Sequence, residues 1–216
     1  MFIKQILVYA DSLSWGIIPD TRQRLSFEQR WPGVLENTLN SLVKVRIIED
    51  CLNGRRTIWD DPIKAGRNGL EGLAQRIEIN SPLSLVILLL GTNDFQSMHE
   101  NNADDSAQGI TALISAIRAA PIEPGMLIPP ILVVVPPAIN IPKGAIAAKF
   151  TGAQAKSAGL AEAYKKVCKQ LDCHYFDSNM VITSSSVDGV HLDAKEHATL
   201  GKALAEVVAP LLKQSS

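Results

Sequence analysis

Short, wholly apolar runs alternate with segments whose apolar positions recur every three or four residues. This alternation predicts a parallel sheet with crossover helices. Strands are expected at residues 3–9, 43–49, 85–90, 131–135 and 174–177. The runs at 85–90 and 131–135 are apolar throughout, as suits strands covered on both faces. After Asp104, the positions Ile110, Leu113, Ile114 and Ile117 form one helical stripe, which Pro121 stops. From Thr151, a second stripe runs through Leu160, Tyr164, Val167, Cys168 and Leu171. A last helix opens at Asp193, with Glu196 three residues on in a variant of the capping box. It carries Leu200, Leu204, Val208 and Leu211, and Pro210 is expected to bend or end it. A shorter helix begins near Trp31-Pro32, since proline is tolerated in a first turn. Two connections, 50–69 and 136–150, are longer than the fold requires. Their Trp59, Ile139, Ile141, Ile146 and Phe150 suit a substrate wall.

Composition narrows the picture. At 216 residues, the chain is long enough to bury a core without disulfides, and one domain over 1–216 is expected. Its 21 basic and 22 acidic residues leave a net charge of −1, with no basic block. That argues against a nucleic-acid partner or an anionic membrane surface, and small neutral substrates fit the balance better. The first apolar run, 6–10, ends at Asp11, short of the roughly 7–15 residues of an export segment. No stretch approaches the ~18 apolar residues of a membrane span. Cys51, Cys168 and Cys173 cannot all pair within the chain, which fits a reducing compartment. A cytoplasmic location is expected.

The chemistry-bearing residues fall where strands end. Ser12 follows the first strand, in a turn that would expose its hydroxyl at the sheet edge where ligands gather. A serine hydroxyl attacks well only when a base takes its proton and an acid holds that base in the right tautomer. Of the four histidines, His191 is the best base, because Asp188 stands three residues before it in a glycine-containing loop. Acyl transfer also needs donors for the oxyanion, each worth about 10²–10³ in rate. Asn93 offers a side-chain amide, while Gly54 and Ser12 offer backbone N–H groups. Asp11 and Asp94 read as braces for their turns, and Trp15, Ile17, Trp59 and Phe95 as a wall against an apolar or aromatic substrate. Each feature also has an ordinary reading: a serine after a strand is commonly a turn or cap residue. Asp188-Gly189 and Asn53-Gly54 are common turn dipeptides, and the aromatic residues could equally be packing. The joint occurrence carries the argument.

The blocks Ala10-Asp-Ser-Leu-Ser-Trp-Gly16, Gly54, Gly91-Thr-Asn-Asp94 and Asp188-Gly-Val-His191 resemble, in order and spacing, the four blocks of the SGNH (GDSL) hydrolase family. The resemblance spans nearly the whole chain. It implies a three-layer α/β/α sandwich, flavodoxin-like, with a five-stranded parallel sheet in the order 2-1-3-4-5. It also implies Ser12 as nucleophile, His191 as base, Asp188 as orienting acid, and Ser12, Gly54 and Asn93 as the oxyanion hole. Arg30-Trp31, Trp59-Asp-Asp-Pro62, Arg67-Asn-Gly69 and Pro136-Pro137 are similar to the bacterial arylesterase/acyltransferase branch. That branch hydrolyses short acyl esters, some members transfer acyl groups, and some form oligomers. The resemblance therefore implies a serine esterase with a small-molecule ester substrate, a homo-oligomer, and no cofactor or metal. Carbohydrate acetylester, thioester or lysophospholipid cleavage on the same triad stays open. Ala10 stands where the family has glycine, and its methyl would strain any backbone needing positive φ there.

Other chemistries fit less well. No serine has glycine at both −2 and +2, and no H-E-x-x-H, P-loop or G-x-G-x-x-G occurs. Cys168, Cys173 and His174 lack a second ligand cluster for zinc. Asp11 and Asp94 could suggest a receiver-like phosphate site, but 177–187 lacks the lysine such a site wants. A non-catalytic ligand-binding domain is the third reading, and the complete triad argues against it. With a neutral imidazole as base, activity should rise with pH around 6.5, its ordinary pKa.

Overall fold

The computed structural model describes residues 3–214. Strands β1 (Lys4–Ala10), β2 (Val45–Cys51), β3 (Leu85–Leu89), β4 (Ile131–Val135) and β5 (His174–Asp177) form one parallel sheet in the order β2-β1-β3-β4-β5. Seven helices accompany them among the described residues: α1 (Ser12–Trp15), α2 (Trp31–Leu39), α3 (Leu73–Asn80), α4 (Ala103–Arg118), α5 (Ala153–Lys156), α6 (Leu160–Gln170) and α7 (Ala194–Gln214).

Successive strand residues point to opposite faces, and the inner strands are apolar on both. Ile6, Val8, Ile87 and Val134 pack against Trp31 and Leu35 of α2 and Leu200 and Leu204 of α7. Leu7, Tyr9, Leu88 and Val133 pack against Ile77 of α3, Leu113 and Ile117 of α4, and Tyr164 of α6. Helices therefore cover both faces, giving the three-layer α/β/α sandwich. Each fully buried aliphatic side chain contributes about 1.5–3 kcal/mol of burial free energy.

The elements differ from the sequence expectation in instructive places. Strands β1 and β2 run on to Ala10 and Cys51, which pair in register and carry the ladder past the expected strand ends at 9 and 49. The stripe from Thr151 breaks into α5 and α6 at Gly159, whose left-handed φ of 86° interrupts the helix. Helix α3 buries only Leu73 and Ile77, too sparse a stripe to read as a helix. Pro210 lies inside α7, which continues to Gln214 rather than ending there. The Asp193 carboxylate accepts the Ser185 hydroxyl at 2.9 Å, so it ties down the loop before α7 in place of the expected capping box. Ala10 is fully buried in β1, outside the residues with positive φ, and packs in the core. Its methyl is accommodated.

The carboxyl ends of β1, β2 and β3 lead directly into Asp11-Ser12, residues 52–57 and residues 91–95. These three segments meet at one edge of the sheet.

Candidate active site

Helix α1 is a single turn that begins at Ser12. Asp11 caps it, its Oδ1 accepting the Leu13 N–H at 2.9 Å, and Gly16 closes it in the left-handed region at φ 85°. Ser12 is 8% exposed and opens into a cavity of about 500 Å³. Its hydroxyl takes no hydrogen-bond partner among the described residues. Its N–H, in the first turn, has no carbonyl within α1 to bond.

Asp188 and His191 reach the same cavity from a tight turn before α7. The Asp188 Oδ1 accepts the N–H groups of Val190 and His191, each at 2.9 Å, and Oδ2 accepts His191 Nδ1 at 2.7 Å and the Asp20 N–H at 3.3 Å. Gly189 makes the turn possible. Its φ is 78°, and a Cβ there would lie 2.3 Å from the Ile141 carbonyl oxygen. Hydrogen bonds from Asn140 N–H to Gly189 O and from Lys143 N–H to Asp188 O fasten the β4–α5 connection to it. Burial opposes ionisation of Asp188, but the His191 ring and the two backbone amides outweigh it and hold the carboxyl well below the usual range. Asp188 is thus an anion at neutral pH. It fixes Nδ1 of His191 as the donor and leaves Nε2 as the basic nitrogen. Ser12 and His191 share the cavity without a hydrogen bond closed between them. Such contacts often tighten only when substrate binds.

Gly54 and Asn93 line the cavity beside Ser12. Gly54 stands in a turn after β2 with φ 82°. The Asn93 Nδ2 donates to Asp11 Oδ2 at 2.8 Å and to the Arg55 carbonyl at 3.1 Å, while its Oδ1 accepts Gln96 Nε2 at 2.6 Å. Gln96 is held in turn by buried Arg56, whose Nη2 donates to Gln96 Oε1 at 2.6 Å. This relay sets which end of the Asn93 amide faces Asp11. Nothing in the sequence around Gln96 or Arg56 marks it.

Asp94 does more than brace its own turn. Fully buried, it accepts the Thr57 N–H and hydroxyl and the Ser106 hydroxyl, locking β3 to the 52–57 segment and to α4. Burial pushes its carboxyl up to about 6. Of the expected substrate wall, Ile17 lines the cavity, joined by Ile146 and Phe150. Trp15, Trp59 and Phe95 do not line it. Phe95 is fully buried in the core, because the turn after β3 aims it inward. Trp15 lies under the Arg24 guanidinium at 4.7 Å, and Trp59 has its indole nitrogen buried without a partner. Ile141 is exposed and Ile139 belongs to the core, so neither forms a wall of this cavity. The remaining histidines stand apart from it. His197 is buried, accepts the Trp31 N–H, and is pushed by burial down to about 3.

Burial pushes Asp11 up to about 7, against the hydrogen bond from Leu13, the charge on His191 and the bond from Asn93. A carboxyl raised above its unfolded value of about 4 holds its proton more tightly when folded. Its contribution to stability is therefore full below pH 4 and is lost as pH rises through 7. The difference in unfolding free energy between wild type and Asp11→Asn should move in the variant's favour across that window. Denaturant titrations at several pH values measure it, and a pH-independent difference would contradict this reading.

Among the described residues, no helix is long and apolar enough to cross a membrane, and no cluster of three or more histidine, cysteine or acidic side chains could hold a metal ion. The model of the GDSL-like lipase/acylhydrolase family matches residues 11–199. The chain belongs to that family, and it is a carboxylic ester hydrolase. An aryl esterase from M. smegmatis is 33% identical, with a TM-score of 0.91 over 96% of this chain and 99% of that one. A carbohydrate acetylesterase family member from Sinorhizobium meliloti is 35% identical, with a TM-score of 0.91 over 98% of this chain and 100% of its own. No curated protein matches the chain.

Proposed function

We propose that the chain hydrolyses short-chain acyl esters, aryl esters among them, through an acyl-enzyme formed on Ser12. The observation that carries this reading is the single cavity shared by Ser12, Gly54, Asn93, Asp188 and His191. His191 Nε2 takes the Ser12 proton as Oγ attacks the ester carbonyl, and Asp188 stabilises the imidazolium that forms. The oxyanion is held by the N–H groups of Ser12 and Gly54 and by the Asn93 amide, which yields its longer bond to the Arg55 carbonyl. The imidazolium returns its proton to the departing alcohol. Water, activated by the same nitrogen, then releases the acid. An acceptor alcohol in place of water would give acyl transfer.

Ile17, Ile146 and Phe150 give the cavity an apolar side suited to a short acyl chain or an aromatic ring. The solved relatives named as an aryl esterase and a carbohydrate acetylesterase family member support both substrate classes. A series of p-nitrophenyl esters from acetate to octanoate, with an acetylated sugar alongside, tests the reading. Activity should fall beyond butyrate. A preference for the longest chain would contradict the short acyl site and favour lipid esters.

The reading extends to one domain over 1–216 working as a cytoplasmic homo-oligomer. The three free cysteines suit a reducing compartment.

A further inference from the structure

Four cations line the cavity of Ser12, and they arrive from three separate loops. Arg22 comes from the segment after α1, Lys64 and Arg67 from the β2–α3 connection, and Lys149 from the β4–α5 connection. None of the four forms an ion pair among the described residues. The acids of the same cavity are mostly engaged. Asp61 pairs with fully buried Arg56 at 3.0 Å and accepts the N–H groups of Ile63 and Lys64. Asp188 is committed to His191. Of the lining acids, Asp20 keeps its carboxylate outside an ion pair.

With His191 neutral the Asp188 charge also remains, so four cations face two uncompensated carboxylates, Asp20 and Asp188, which is still a local excess within a chain of net charge −1. Arg67 is also held in place, donating through Nε to the Asn53 carbonyl and through Nη1 to that of Ala65. Its Nε would lie 3.9 Å from a Cβ on Gly54, so this cation borders the proposed oxyanion hole.

We propose that the ester this cavity prefers carries a negative charge, such as a carboxylate, a few atoms from the scissile carbonyl. The proposal deepens the esterase reading above and rests on it. A concave site lined by one sign of charge concentrates the opposite sign, and guanidinium and ammonium groups form strong charge-assisted hydrogen bonds to carboxylates. An anion there also relieves the repulsion among the cations. Desolvation and the charges of Arg56, Lys64 and Arg22 already hold the Lys149 ammonium below the usual lysine range. The near-neutral whole-chain charge pointed instead to neutral substrates, because it averages this cluster away.

Two matched pairs of esters separate charge from size: p-acetoxybenzoate against its methyl ester, and mono(p-nitrophenyl) adipate against its methyl ester. In at least one pair, kcat/KM should favour the anion by on the order of 10-fold or more at low salt. The preference should shrink in high salt. It should also fall toward unity in the combined Arg22→Gln, Lys64→Gln, Lys149→Gln variant. Neutral esters turned over as fast as the anions in both pairs would overturn this proposal while leaving the esterase reading intact. So would a preference that the triple variant keeps undiminished. Failure to hydrolyse any of the four esters would overturn the esterase reading, and the anion preference with it.

Discussion

Replacing Ser12 with alanine is expected to lower kcat for p-nitrophenyl acetate by about 10⁴-fold or more, as removal of a serine nucleophile does elsewhere. The fold should hardly notice. The Ser12 hydroxyl bonds nothing among the described residues, and the cap that starts α1 belongs to Asp11. Deleting the hydroxyl therefore leaves no orphaned partner, and the stability change should stay within about 1 kcal/mol. Initial rates measured beside a thermal melt separate the two effects. Retention of most of the wild-type rate would remove Ser12 as nucleophile, whatever the melt showed.

Asp188→Asn should cost about 10³–10⁴ in kcat, by a different route. The carboxylate accepts the His191 ring N–H and three backbone N–H groups, including that of Asp20. An amide replaces one acceptor with a donor, so either the imidazole turns to the wrong tautomer or the backbone turn loosens. The variant also changes the acid limb of stability. Asp188 has its folded pKa depressed, so its contribution is full above its unfolded value of about 4 and is lost as pH falls below that. Wild type should therefore lose stability on acidification more steeply than Asp188→Asn. Parallel acid limbs would show that the carboxylate is less strongly held than its four contacts imply.

What could be read from the chain was what depends on local spacing. Asp188 and His191 lie three apart around a glycine, so one turn brings them together, and both residue types and interval are visible in the sequence. Ser12 could be placed in a turn at the sheet edge because an apolar strand stops abruptly at Asp11. The order of the sheet came from the family resemblance, whereas the strands themselves came from their apolar runs. The misses involve partners distant in sequence. Asn93 is oriented by Gln96, and Gln96 by Arg56, forty residues earlier. Trp15, Trp59 and Phe95 stand near the site in sequence, but the backbone directs Phe95 into the core and leaves the two indoles outside the cavity. The cluster of Arg22, Lys64, Arg67 and Lys149 is assembled by three loops, and no local pattern signals it.

The account stands on an activated hydroxyl at position 12, and covalent capture tests that most directly. The native protein would be treated with a fluorophosphonate at neutral pH, digested, and mapped by mass spectrometry. One adduct per chain, on Ser12, is the predicted result, and it should be lost in Asp188→Asn at short reaction times. Labelling at another residue, or none under conditions where the ester is hydrolysed, would contradict the mechanism.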